Sequence, residues 1–268
     1  MSALTGFIKR INVNYMQQLN DVLLVSVVRN FEMYRNFFER NAALAGVKLL
    51  PADNRVENLP IPVRYNTFLD GYDYSQPAWF VFAHEDFEIR EPIMGKLADC
   101  DCGSLWGVIG GRRRSLFGFG ISGHYGSIVD ADRSHPGQYV RVGKLVRKGF
   151  PVETFDCCAL IVHSSLVQRY GLRFDPKLEF DLYVEDFCAM AKVRHGIASR
   201  ILPFEATHHS LSVPQKRYYD LLPYLRRKYP NNCFTGTCSY IGTMPPMMRF
   251  QRWLMGRAEE DRAAGLRD

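Results

Sequence analysis

The sequence predicts an α/β fold, with a mixed, mainly parallel central sheet flanked by helices and a helical C-terminal extension. Two stretches carry this prediction. Val22 to Val28 is a near-continuous apolar, β-branched run, as expected of a strand buried on both faces. Phe31, Tyr34, Phe37, Phe38 and Leu44 follow at roughly helical spacing, and Val47 to Pro51 reads as the next strand, which makes a β-α-β opening. The second stretch, Ala78 to Phe82, is a short aromatic strand that delivers His84, Glu85 and Asp86 in succession. Carboxylates at the end of a buried strand must be solvated, paired or bound to a metal. In an open α/β sheet the carboxyl ends of the strands line the ligand crevice.

The remaining elements follow in order. Residues 1–20 are weakly patterned and fit a short helix or a loosely held arm. Pro51, Pro60 and Pro62 mark a loop with a short strand at Val63, and Tyr65 to Asp70 starts a helix that leads to the aromatic strand. A helix or loop covers Ile89 to Leu97, and Ser104 to Ile109 is a strand running into Gly110-Gly111. Residues 112–150 show little periodicity and read as a long functional loop. The glycine-rich run Gly118 to Gly126 lacks both the Gly-Lys-Ser/Thr ending of a phosphate loop and the strand-to-helix context of a dinucleotide fingerprint, and reads as flexible loop. Phe155 to Val162 is a strand entered by Asp156. Ser164 begins a helix that Gly171 ends, and Glu185 and Asp186 open another that Gly196 ends. Ile201 to Thr207 reads as the final strand and empties into His208-His209-Ser210. The division is therefore a domain over 1–210 and an extension over 211–268 made of two helices and a charged end.

Bulk properties exclude some classes. With 268 residues and 47% hydrophobic content the chain builds a full core. A net charge of +6 suits anionic small molecules or a membrane surface, and without an aromatic-basic stripe it gives no support to nucleic-acid binding. The seven cysteines lack zinc spacing and read as reduced thiols in a cytoplasmic protein. No run approaches the roughly 18 apolar residues of a membrane span, and the first residues lack a signal-peptide pattern. The stretch 247–257 mixes apolar and basic residues, which suits packing on the domain, contact with a second copy in a homodimer, or rest on the inner face of an anionic membrane.

Taken together, His84-Glu85-Asp86 after a strand, Asp156 entering a strand, Glu185-Asp186 opening a helix and His208 after the last strand resemble a GT-A-fold glycosyltransferase, close to the family-2-like bacterial sugar transferases. The resemblance covers roughly residues 21–210. In that family the strand-end motif is usually Asp-x-Asp, and here His84-Glu85-Asp86 stands in its place. The segment Phe180 to Cys188 is similar to the helix start that supplies the catalytic base, and Leu202-Pro203 through His208-His209-Ser210 is similar to the closing segment whose His often completes the metal site.

The resemblance implies Asp186 as base with Glu185 beside it. It implies Asp86, His84, Glu85 and His208 as ligands of Mn or Mg, and Asn30, Asn66, Asp156, Gly110, Gly111 and Arg112 as substrate contacts. Arg112 to Arg114 would clamp the diphosphate from a closing loop. The implied activity is an inverting transfer of a sugar from a nucleotide-diphosphate donor to a hydroxyl of a glycan or lipid-linked acceptor. The chemistry is coherent, because a divalent ion offsets charge on the departing diphosphate and a carboxylate takes the acceptor's proton. Hard oxygen ligands suit Mg or Mn, and a His nitrogen favours Mn. A non-catalytic nucleotide-sugar-binding protein is the alternative from another class. A nucleotidyltransferase would carry a glycine-rich basic signature near the first strand, where Ser26 to Asn30 has none.

Overall fold

A computed structural model describes residues 21–116, 119–132, 134–135, 137–210 and 214–257. The expected arm at 1–20 and the charged end at 258–268 lie outside the described residues.

The chain opens with β1 (Asp21–Val28), α1 (Phe31–Tyr34, continued by a π turn Arg35–Glu39), β2 (Lys48–Asp53), α2 (Ile61–Gly71) and β3 (Ala78–Ala83). It goes on through β4 (Phe87–Ile89), α3 (Met94–Leu97), β5 (Leu105–Gly107), β6 (Ile109–Leu116), β7 (Phe119–Gly126), β8 (Ile128–Ala131), β9 (Tyr139–Val142), β10 (Phe150–Val152), β11 (Thr154–Phe155), β12 (Ala159–His163) and α4 (Ser164–Tyr170). The last elements are α5 (Tyr183–His195), β13 (Ser199–Ile201), β14 (Ala206–His208), α6 (Lys216–Lys228), β15 (Cys233–Thr235), β16 (Tyr240–Gly242) and α7 (Pro246–Leu254).

The large sheet runs β10-β13-β5-β12-β3-β1-β2. β1 pairs parallel with both β2 and β3, and β13 pairs parallel with β5, whereas β12 and β10 run antiparallel to their neighbours. Alternation along β1 splits the core in two. Leu23, Val25 and Val27 join one cluster with Phe80, Phe82 and α5, while Val22, Leu24 and Val28 join Trp79, Val81, Tyr34 and Phe38 on the other face. Both faces of β1 and β3 are covered, which is why their sequences read as apolar runs without alternation. The chain leaves β1 for β2 on one side and returns to β3 on the other. That reversal places a topological switch point, and hence a crevice, at the carboxyl ends of β1 and β3.

Several expectations are corrected. Residues 112–150 are not a loop. They form the β6–β7 hairpin and the β8–β9 pair, in smaller sheets ordered β11-β6-β7 and β4-β14-β8-β9. Strands β6 and β7 are eight residues each but rich in Gly and Arg, with too little apolar alternation to be read as strands. Val63 lies in helix α2, with Pro62 in its first turn, where a missing N–H costs nothing. The expected strand from Ile201 to Thr207 is split, with β13 ending in the large sheet and β14 beginning in a small one after the Pro203 crossing.

The C-terminal extension holds a β15–β16 hairpin besides its two helices. Tyr218, Leu222, Leu225, Tyr229, Phe234, Ile241 and Met248 enter the same core as β1 and α5. No helix among the described residues is long and apolar enough to cross a membrane.

Candidate active site

Just past β3 the three polar residues His84, Glu85 and Asp86 occupy the turn that leads into β4, and all three line one cavity. The Glu85 carboxylate accepts the backbone N–H groups of Arg29 (2.8 Å) and Asn30 (2.7 Å), tying the ends of β1 and β3 together. Glu85, grouped with the metal ligands by sequence, is therefore spent on the first strand's backbone. Asn30 caps α1 by accepting from Glu32 and Met33 N–H.

His84 and Asp86 instead meet His208 from β14. Among the described residues these three are the only group placed to hold a metal ion, with ligand atoms within 4.8 Å of one another. His84 Nδ1 lies 3.9 Å from Asp86 Oδ1, and His208 Nε2 lies 3.5 Å from the same oxygen. Asp86 Oδ1 and His208 Nε2 are both buried without a hydrogen-bond partner. Buried polar atoms are almost always satisfied, so two orphans facing each other fit a cation between them.

The far sides of both rings are held, as expected of ligating imidazoles. His84 Nε2 meets the Tyr183 hydroxyl at 2.6 Å, and that hydroxyl is directed at the Cys157 carbonyl at 3.3 Å. Nε2 is therefore the donor, and Nδ1 keeps its lone pair toward Asp86. His208 Nδ1 lies 3.4 Å from Asp130 Oδ1, a partner set by the β14–β8 register that pairs His208 with Asp130.

The electrostatics favour positive charge at this point. Burial raises the Asp86 carboxyl, but the close approach of His208 and the charges of His208 and His84 outweigh it and hold the group down to about 2. Burial lowers His208, yet Asp130 and Asp86 carry it up to about 10, so the ring holds a proton that a metal ion would have to displace. His84 is lowered by burial against the pull of Asp86. His209 is turned elsewhere, bonded to Tyr139 and Glu88 and stacked on Phe37 at 4.2 Å.

Beside this triad a cavity of about 190 Å³ opens at the switch point, lined by Val27, Arg29, Asn54, Tyr65, His84 and Asp86 among others. It admits a planar ring, and a larger ligand would extend over its open mouth.

The two acids that open α5 part company. Asp186 is buried and accepts from Lys228 Nζ at 2.8 Å and from Tyr229 Oη at 2.7 Å, and Lys228 also reaches Asp175 at 2.7 Å. It anchors α6, and neither it nor Glu185 is among the residues that line the cavity. Glu185, equally buried, accepts from the Cys157 thiol at 2.9 Å. Burial, with Asp156 nearby, pushes its carboxyl up to about 8, against the lowering effect of the Cys157 hydrogen bond. Burial and the Glu185 and Asp156 charges push the Cys157 thiol well up, so it stays a donor. Leu182, just before the helix, sits at φ 64°, a strained value for a non-glycine residue that sets where this first turn points.

Asp156 accepts from Thr237 Oγ1 at 2.6 Å and from Cys158 N–H at 3.0 Å. Burial alone would raise its carboxyl, but His208, Thr237 and His84 together hold it low, which places it within electrostatic reach of the triad.

The remaining expected substrate contacts have structural roles. Asn66 bonds both backbone groups of Phe174. Arg112 bonds the Pro151 carbonyl and lies over Phe150, fixed to a strand instead of poised on a lid. Gly110 and Gly111 allow close approach of backbone, since a Cβ at either would come within 2.3 Å of the Thr154 or Thr235 carbonyl oxygen.

Sequence reading assigned no site role to Asp130, Tyr183, Thr237 or the Lys228–Tyr229 pair. Only Tyr183 had a local signal, its place within the motif of α5. Comparison with models of known protein families matches none of them, and no curated protein is significantly similar to the chain.

Proposed function

We infer that the chain is a GT-A-type glycosyltransferase that moves a sugar from a nucleotide-diphosphate donor to a hydroxyl of a glycan or lipid-linked acceptor. The observation that carries this reading is the pair of unsatisfied buried atoms, Asp86 Oδ1 and His208 Nε2, set with His84 at the mouth of a switch-point cavity. His84, Asp86 and His208 would hold a divalent ion, and two imidazoles beside one carboxylate favour Mn over Mg. When bound, that ion supplies charge neutralisation for the donor's diphosphate.

The chain's own residues account for the rest. The cavity between Val27, Asn54 and Tyr65 takes the nucleobase. Glu185, not Asp186, acts as base, because a carboxyl near pH 8 and free of any lysine accepts a proton from a hydroxyl, whereas the Asp186 carboxylate is committed to Lys228 and Tyr229. As the acceptor oxygen bonds to the sugar's anomeric carbon, the bond from that carbon to the diphosphate oxygen breaks. The hydroxyl proton goes to Glu185 and the nucleoside diphosphate leaves, which inverts the anomeric centre. Asp156, held by Thr237, orients the acceptor side of the site.

Calorimetric titration of UDP, GDP, CMP and dTDP, with and without Mn and with Asp86→Ala, tests the proposal. With CMP as the monophosphate control, the expected result is binding of one of the three diphosphates that requires Mn and is lost in the variant. Failure of all four to bind would end the transferase reading.

A further inference from the structure

Helix α7 presents an apolar face to solvent. Its Met248 turns inward, where the sulfur meets Arg113 Nη1 at 3.0 Å, and Arg252 lies over the Tyr240 ring at 5.3 Å. The outer side carries Met247, Phe250, Trp253 and Leu254, exposed by 51, 51, 57 and 60%, with Met255 following at 64%. Their spacing gathers them on one side of the helix. Phe250 and Trp253 stack with ring centroids 6.0 Å apart. Large apolar side chains collected on one exposed face mark a contact surface.

Among the described residues the extension's charge is mainly positive, and Glu259, Glu260 and Asp261 follow outside them. From Leu221 to Arg257 the chain contains no Asp or Glu. Arg249, Arg252 and Arg257 lie on the helix or just after it, whereas Arg113 meets Met248 on its inner side. A second copy of the chain seated here would bring these arginines against their own counterparts. Acidic lipid headgroups meet them with opposite charge, while the aromatic and aliphatic side chains enter the acyl boundary.

The geometry points to α7 as a docking face for an anionic lipid surface, lying in the plane of the interface with Phe250, Trp253 and Leu254 inserted and the arginines at headgroup level. The inference stands apart from the transferase reading, because it is read by partition and not by turnover.

The test uses the full chain with vesicles of phosphatidylcholine, with or without phosphatidylglycerol. Of the three tryptophans, Trp79 and Trp106 are buried at 4 and 3% exposure, so a blue shift of emission reports Trp253 leaving water. Expected is a blue shift with the anionic vesicles and co-sedimentation at least about tenfold stronger than with the neutral ones, both weakening with salt. The Phe250→Ser/Leu254→Ser variant changes only exposed positions. It should keep its circular dichroism and lose about tenfold or more of the partition. Unchanged emission, equal partition to neutral vesicles, or full binding by the folded variant would each overturn the inference. A blue shift without lipid that grows with protein concentration, together with dimer mass in the ultracentrifuge, would assign the face to a second copy instead.

Discussion

Asp86 Oδ1 and His208 Nε2 lie 3.5 Å apart, both buried and neither hydrogen-bonded. One comes from the end of β3 and the other from the end of β14. The Asp86 carbonyl accepts the His209 N–H at 2.9 Å, which fixes the two segments side by side. These facing atoms, left unsatisfied so close together, are the observation on which the proposed metal site rests.

Manganese affinity, followed by calorimetry or by loss of the free-ion spin-resonance signal, should therefore collapse in Asp86→Ala and His208→Ala. Asp130→Asn keeps all three ligands and loosens only the His208 ring, so it should cost about 10–100-fold. Glu85→Gln should stay within a few-fold of wild type. A strong loss of metal in Glu85→Gln would count against a site made of His84, Asp86 and His208 alone.

Glu185 should govern two pH dependences. Its carboxyl is raised in the folded state from the ordinary 4.5 to about 8. The native protein then binds more protons than the unfolded chain across that window. This contribution to stability is present in full below about 4.5 and is lost as pH rises through about 8. Urea unfolding at a series of pH values should show wild-type stability falling with pH more steeply than Glu185→Gln, and equal slopes would refute the assignment. Transfer activity should run the opposite way, rising with pH toward about 8 as the base loses its proton, and Glu185→Gln should lose turnover while still binding nucleotide.

Asp186 should matter for stability first. Removing one partner of a buried pair strands the other charge, so Asp186→Ala should cost about 3–5 kcal/mol by urea or thermal unfolding. Lys228→Met should behave similarly, since it leaves Asp186 and Asp175 without their shared cation. A folded, fully stable Asp186→Ala protein without the wild-type transfer activity would return the proposed role of base to Asp186.

Gly111→Ala should destabilise the β6–β15 contact. Its Cβ would stand 2.3 Å from the Thr235 carbonyl oxygen, and that neighbour is backbone that cannot rotate away. Since Thr237 follows on the same hairpin and holds Asp156, activity should fall along with the melting temperature. An unchanged melting temperature would show that the hairpin shifts freely.

The sequence by itself determined the central strands and two of their polar endings. Val22 to Val28 and Ala78 to Ala83 could only be buried strands, since no other element hides such continuous apolar runs of that length. His84, Asp86 and His208 were legible because charged or polar residues at strand ends are chemically conspicuous. Tertiary structure alone decided what each neighbour does. Glu85 and Asp86 are adjacent and chemically alike, as are Glu185 and Asp186, and only the partner across space separates the acid beside His208 from the one that holds backbone N–H groups, and the acid beside a thiol from the one beside a lysine. That partner comes from far along the chain: Arg29 for Glu85, Lys228 for Asp186, Cys157 for Glu185. The β6–β9 strands and the β15–β16 hairpin were hidden for the same reason. Their glycine-rich or polar segments become strands because neighbouring strands complete their hydrogen bonds, and local propensity does not record such partners.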